Sequence, residues 1–336
     1  MKNNLMKDRS IINLFTHTDL DGVGCSVLAH LYARHRSSAI SVRYCDYESV
    51  NHEINSLLDN IETADLTGNH PVQSREILIT DISVDSETAD RLNRFVNEHD
   101  DVSVVLIDHH QVNDAIKSKP WARINTDPKQ CGTSLLLDYL YQSVDYLRGN
   151  KAVETFADDV CLYDTWRFDK SIESNPENLN ILLGLLGKEE FELMISSWIC
   201  TNPDTPIVVQ ELSFYPFVEH DHKRRREYCA LRNQFARKII YKEFTVAVVF
   251  AEQYISAVGD YILSKNPDVD FCAIVNLPKS VFLRTRREGL NLGIDIARPL
   301  GGGGHPKAAA YQLDFSDKEI KEMIRLCEQQ CSDSYQ

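Results

Sequence analysis

The chain has 336 residues, 43% of them apolar, which is too long for one ordinary core and globular in composition, not disordered. With 36 basic against 50 acidic residues the formal charge is −14, which argues against a broad basic surface tracking long nucleic acid and leaves room for a small anion or for divalent cations. No apolar run of about 18 residues occurs, so no membrane span is expected, nor a signal peptide behind Lys2 and Lys7, and the expected compartment is the cytoplasm.

In chain order, Ile11–Thr16 predicts a strand, Val23–Tyr32 a helix and Ser41–Tyr44 a weaker second strand. Glu76–Thr80 holds a short apolar run, Val102–Ile107 is a nearly continuous and mostly β-branched one, and Ser86–His99 between them has helical spacing. Cys131–Tyr141 and Lys151–Tyr163 predict two more helices. Buried strands alternating with amphipathic helices describe a doubly wound, mainly parallel α/β sheet with both faces covered. Pro176, Pro203 and Pro206 punctuate helices that close this first domain near residue 205. A charged stretch over 206–240, with His220, His222 and a basic run, reads as a helical connector with a solvated face. A smaller α/β domain over 241–336 follows: strands Phe244–Ala251, Val269–Asn276 and Ser280–Arg286, a helix Ile255–Lys265, a short helix Ile294–Pro299, four glycines, a strand Tyr311–Phe315 and a last helix Asp317–Cys331. The nine cysteines form no Cys-x-x-Cys pair, so reduced and mostly buried thiols are expected, with Cys327 and Cys331 one turn apart on a packed helix face.

Four turns carry ligand-type side chains: His17-Thr18-Asp19-Leu20-Asp21-Gly22 after the first strand, Asp81 after the third, Asp108-His109-His110 after the fourth, and Asp164 where a helix ends. Ligands of open α/β sheets bind at the carboxyl edge of the strands, and neighbouring strands are only about 4.8 Å apart. Any one of these aspartates alone is as well explained as a helix N-cap. Together they predict five carboxylates and several imidazoles in one small volume, which would repel strongly without cations. Two divalent cations would neutralise them, and oxygen with imidazole donors suits Mn²⁺ better than a thiolate-seeking ion.

At the other end, Arg284 and Arg286 alternate on a strand, and Gly301–Gly304 precede His305, Pro306, Lys307 and an alanine run that is helix-prone. Glycines allow close backbone approach, and a helix N-terminus behind them would complete an anion site.

These residues, in this order, resemble the successive motifs of the DHH superfamily of phosphoesterases, and the Phe282–Arg286 strand with Gly301–Ala309 resembles the DHH-associated C-terminal domain. The likeness runs over about residues 11–315, is less informative from about 170 to 240, and within the superfamily leans towards the oligoribonucleases called nanoRNases. Ala310 departs from the pattern, which often ends Ala-Ala-Gly. The resemblance implies a first cation on His17, Asp19 and Asp81 and a second on Asp21, Asp81, His109 and Asp164. It implies a hydroxide bridging the two, Asp108 orienting the histidine pair, and His110 facing the scissile phosphate, so that His110, Asp108 and Asp81 are the catalytic candidates. Arg284, Arg286, Gly302, Gly303, Gly304 and His305 would hold a second phosphate, which acts as a ruler favouring short substrates. The implied reaction is hydrolysis of short oligoribonucleotides to nucleoside monophosphates, with short RNA or dinucleotides as partners and no membrane or long nucleic acid. Linear or cyclic dinucleotides and 3′-phosphoadenosine 5′-phosphate remain rival substrates for the same site. A pyrophosphatase and a non-catalytic nucleotide-binding regulator are weaker alternatives. The oligomeric state stays open, a homodimer included, as do the polarity of attack and RNA over DNA.

Overall fold

A computed structural model describes residues 10–67, 74–168, 173–277 and 280–313. The predicted last helix Asp317–Cys331 and the end of the strand predicted at Tyr311–Phe315 lie outside the described residues. The chain divides into two compact units, Met1–Val218 and Glu219–Gln336.

The first unit is built on a five-stranded parallel sheet in the order β2-β1-β3-β4-β5. Its strands are β1 (Ser10–Thr16), β2 (Ala39–Tyr44), β3 (Ser74–Thr80), β4 (Val102–Asp108) and β5 (Ala122–Ile124). The central strands β1, β3 and β4 are the most apolar in sequence because helices cover both of their faces. On one face lie α1 (Leu20–Arg36), α5 (Gly132–Leu140), α6 (Lys151–Asp164), α7 (Asn175–Leu186) and α8 (Lys188–Thr201), which enclose a core around Leu28, Phe156 and Phe191. On the other lie α2 (Val50–Thr67), α3 (Ser86–Glu98) and the single turn α4 (Asp114–Lys117), around Phe15, Leu58 and Ile79. Each such fully buried side chain stabilises the fold by roughly 1.5–3 kcal/mol in transfer free energy. The strand order reverses beside β1, which puts α1 and α2–α3 on opposite faces, and a crevice is expected at the carboxyl ends of β1 and β3.

The second unit holds a six-stranded sheet in the order β10-β11-β9-β8-β7-β6. Its elements are α9 (Tyr215–Phe235), within which the division falls, β6 (Arg237–Tyr241), β7 (Phe244–Phe250), α10 (Ile255–Lys265), β8 (Phe271–Asn276), β9 (Ser280–Arg284), β10 (Gly303–Gly304) and β11 (Ala308–Gln312). Among the described strands β7 and β8 pair in parallel, joined through α10, and the other pairs are antiparallel.

Two expectations need correction. The alanine run after Lys307 forms β11 and not a helix, because Ala308–Gln312 pair along β9, and Ala309 enters the core with Leu283 and Val281. The helix N-terminus expected behind the glycines is therefore absent there. His222 does not belong to a solvated face: it is buried on the side of α9 that carries Val218 and Cys229, and Arg225 donates to its Nδ1 at 2.8 Å. His220, Lys223 and Arg226 are exposed as expected.

Candidate metal centre

Strand register builds the site. Thr16 pairs with Thr80, and Thr80 with Ile107, so the next residues, His17, Asp81 and Asp108, leave three adjacent strands at one level. Thr80 donates to Thr16 (3.0 Å), and Thr16 to the Gly22 carbonyl (3.0 Å), tying the strand ends to the start of α1. Asp81 takes a left-handed backbone (φ 56°), which costs a non-glycine residue on the order of 1–3 kcal/mol, while its N–H still bonds the Ile107 carbonyl.

Asp19 is the N-cap of α1 and accepts the Gly22 N–H at 3.1 Å, while its other oxygen lies 2.9 Å from His17 Nδ1. Gly22 is required here, since a Cβ would stand 2.1 Å from the His17 carbonyl oxygen. Asp21 is turned inward, 1% exposed, and its two oxygens accept the N–H groups of Gly132 (2.6 Å) and Thr133 (2.7 Å) at the first turn of α5. The positive end of that helix fixes a buried carboxylate beside Asp81. A Cβ on Gly132 would lie 2.7 Å from Asp81 Cβ and 3.1 Å from Asp21 Oδ2. Gly132→Ala is expected to spread the two carboxylates and weaken Mn²⁺ binding by roughly 10–100-fold, the range seen when support around a metal site is disturbed. Isothermal titration on the folded variant checks this; an unchanged affinity counts against close packing at this point.

His109 Nε2 is buried, lacks a hydrogen-bond partner, and lies 3.4 Å from Asp81 Oδ1, 3.6 Å from Asp164 Oδ2 and 3.8 Å from Asp21 Oδ2. Asp108 is wholly buried, and its Oδ1 accepts the His109 N–H (2.8 Å), the His110 N–H (3.2 Å) and pairs with His110 Nδ1 (2.8 Å). Ser83 donates to its other oxygen at 2.5 Å. That serine is not singled out by the sequence, where one hydroxyl after Asp81 carries no signal. Nor is Tyr47, whose ring centroid is 5.9 Å from that of His17 and 6.2 Å from that of His110.

Burial, then the charges of Asp21 and Asp19, push the Asp164 carboxyl up to about 8 and the Asp81 carboxyl well above its usual range. Burial alone would raise Asp108 as well, but the hydrogen bond and charge of His110, with the bonds from Ser83 and the His110 N–H, together outweigh this and hold it low. Burial opposes protonation of His110, yet the hydrogen bond and charge of Asp108 raise its pKa. In His109 burial wins and the pKa falls, which keeps a neutral imidazole nitrogen available as a donor atom.

Three overlapping groups could each hold a cation: His17, Asp19 and Asp81; Asp21, His109 and Asp164; and Asp81, Asp108, His109 and His110. Asp81 Oδ2 and His109 Nε2 are both buried without a hydrogen bond, as electron-pair donors awaiting a cation would be. The donor set is carboxylate and imidazole, so a hard or borderline divalent ion fits it. All of His17, Asp19, Asp21, Asp81, Asp108, His109, His110 and Asp164 are thus brought together.

In the second unit, Arg284 is tucked under α10, donating to Ser256 Oγ (2.7 Å) and the Leu283 carbonyl (2.9 Å). Arg286 pairs with Asp260 at 2.8 Å. Gly303 and Gly304 pair with Ala310 and Ala309, Gly302 N–H bonds the Ala297 carbonyl, and His305 N–H the Ala308 carbonyl. Much of this backbone is therefore engaged in strand and loop contacts.

No family profile matches the chain. The turns whose residues resemble the DHH phosphoesterase motifs in sequence are the ones that the parallel sheet brings together in one donor cluster. It is 29% identical over 311 residues to oligoribonuclease NrnB of Bacillus subtilis, covering 90% of this chain and 72% of that one. It is 20% identical over 354 residues to a 3′,5′-cyclic-nucleotide phosphodiesterase of Helicobacter pylori, covering 92% and 96%. Its fold is similar to that of RecJ from Thermus thermophilus, solved with Mn²⁺, with a TM-score of 0.51, 12% identity and coverage of 90% of this chain and 49% of that one. No helix among the described residues is long and apolar enough to cross a membrane.

Proposed function

We propose that this chain is a cation-dependent phosphodiesterase that hydrolyses short oligoribonucleotides to nucleoside monophosphates. The observation that carries this reading is the position of Asp81. One of its oxygens faces His109 (3.4 Å) and the other faces His17 (4.0 Å), so a single carboxylate serves two groups of donors. His17, Asp19 and Asp81 would hold one divalent ion, Asp21, Asp81, His109 and Asp164 a second, and Mn²⁺ suits both donor sets. Such a pair, when bound, acidifies water and neutralises charge growing on phosphoryl oxygens.

The rest falls to the chain's own groups. Asp108 fixes the orientation of His110 through Nδ1 and favours its protonated form, so the imidazole is set to donate towards a phosphoryl oxygen. Asp21 is held in place by two N–H groups at the start of α5. In the second unit, Arg284, Arg286, Gly302, Gly303, Gly304 and His305 are proposed to receive the substrate's phosphate end. The unit over 1–205 would be catalytic, 206–240 a connector and 241–336 the substrate domain. Buried free thiols suit a reducing, cytoplasmic setting.

The named activity of the Bacillus relative supports oligoribonucleotides. The Helicobacter relative's name favours a second reading, a phosphodiesterase of cyclic nucleotides. A product time course on pApA, 3′,5′-cyclic AMP, a labelled RNA pentamer and 3′-phosphoadenosine 5′-phosphate, with Mn²⁺ and with EDTA, separates them. Mononucleotides from pApA and the pentamer, formed only with Mn²⁺, are expected. Turnover of the cyclic compound alone would replace the first reading by the second.

A further inference from the structure

Tyr47 stands at the rim of the metal centre and has no part in the roles assigned above. It follows β2, and the Cys45 N–H bonds the Thr16 carbonyl, so the chain leaves the sheet beside β1. A tight turn then holds the residue in place: Asp46 accepts the N–H groups of Glu48 (3.1 Å) and Ser49 (2.8 Å), and Ser49 Oγ accepts the Asp46 N–H (3.0 Å). The ring is tilted by 46° to His17 and almost perpendicular, at 89°, to His110. It is nevertheless 54% exposed. A tyrosine in contact with two imidazoles of a polar site, on a braced turn, is thus left about half open to solvent. A phosphate facing His110 would carry its nucleoside within reach of that surface. Aromatic side chains stack on any base, which provides affinity without sequence preference.

We propose that Tyr47 is a stacking surface for the nucleobase next to the scissile phosphate, and that it makes the site prefer nucleoside-bearing phosphodiesters over a bare sugar–phosphate backbone. The proposal rests on the phosphodiesterase reading. It is tested on the full chain with Mn²⁺, using 5′-phosphorylated diadenosine and the same dinucleotide backbone with abasic sugars. Tyr47→Ala is expected to reduce the ratio of the two kcat/KM values roughly tenfold, chiefly through KM for the adenine compound, and Tyr47→Phe to restore it. A dinucleotide carrying 2-aminopurine gives an independent readout: its fluorescence should be quenched by the wild-type chain and by Tyr47→Phe, and not by Tyr47→Ala. An unchanged ratio overturns the proposal. So does a parallel loss on both substrates together with weakened Mn²⁺ binding by calorimetry, which is the mark of a residue that merely packs the imidazoles. If the wild-type chain hydrolyses neither substrate, the phosphodiesterase reading fails, and quenching that depends on the Tyr47 ring still supports stacking. Absence of quenching by the wild-type chain overturns it.

Discussion

Asp81→Ala is expected to lower kcat/KM by about a thousandfold or more, with loss of Mn²⁺ stoichiometry, while the chain stays folded. A metal centre contributes several kcal/mol to transition-state stabilisation, and each 1.36 kcal/mol or so is a factor of ten in rate. Asp81 is the residue whose removal touches both donor groups, since its two oxygens face His17 and His109 separately. The buried surroundings, then Asp21 and Asp19, all disfavour its charge, so the metal-free fold bears a cost for keeping it there. Removing the carboxylate relieves that cost. Asp81→Asn, which keeps the shape and the αL backbone that asparagine tolerates, is therefore expected to melt at or above the wild-type temperature without Mn²⁺ and to gain less from Mn²⁺. Thermal melts with and without the ion, beside kinetics on pApA, separate a lost site from a lost fold. Wild-type Mn²⁺-dependent turnover in Asp81→Ala would remove the bridging role.

What can be read from sequence follows from where burial is complete. β1, β3 and β4 lie under helices on both sides, so their apolar runs stand out, and the turns after them are placed because a strand's end fixes the next residue. α2 escapes the sequence reading although Val50, Ile54, Leu57, Leu58 and Ile61 have helical spacing and are buried, because it sits between two weakly marked stretches. β6 is absorbed into the connector: Arg237–Tyr241 is an edge strand whose residues are all exposed, so no hydrophobic alternation marks it. The alanines after Lys307 have high helical propensity, yet pairing with β9 overrides it, as tertiary contacts commonly do. At the candidate metal centre the ligand-type residues are legible because their identity is their chemistry. Ser83 and Tyr47 are not, because their importance lies in proximity, and a hydroxyl or a ring has many other uses.

The same crowding of carboxylates gives a pH dependence whose sign can be worked out. In the metal-free chain the Asp164 carboxyl is pushed up to about 8, by burial first and then by Asp21 and Asp19, and Asp81 is pushed in the same direction. In the unfolded chain both ionise near 3.8. Between about pH 4 and 8 the folded chain therefore holds more protons than the unfolded one, and this contribution to stability falls as pH rises. His17 and His110, also raised, lose their contribution as pH climbs through their folded values, which adds to the trend. Asp19 and Asp108 are lowered, so their contribution is lost only in acid, below the window. A cation must displace the protons that the site holds. Mn²⁺ affinity is thus expected to rise about tenfold per pH unit for each proton released, with the part due to Asp164 levelling off above about pH 8. Calorimetry at pH 6, 7 and 8 in buffers of different ionisation enthalpy counts those protons directly. Melting temperatures should show the ion stabilising the chain more at pH 8 than at pH 6. An affinity that stays flat across this range would mean that the carboxylates are already ionised, and that the charge of the empty site is balanced by some other means.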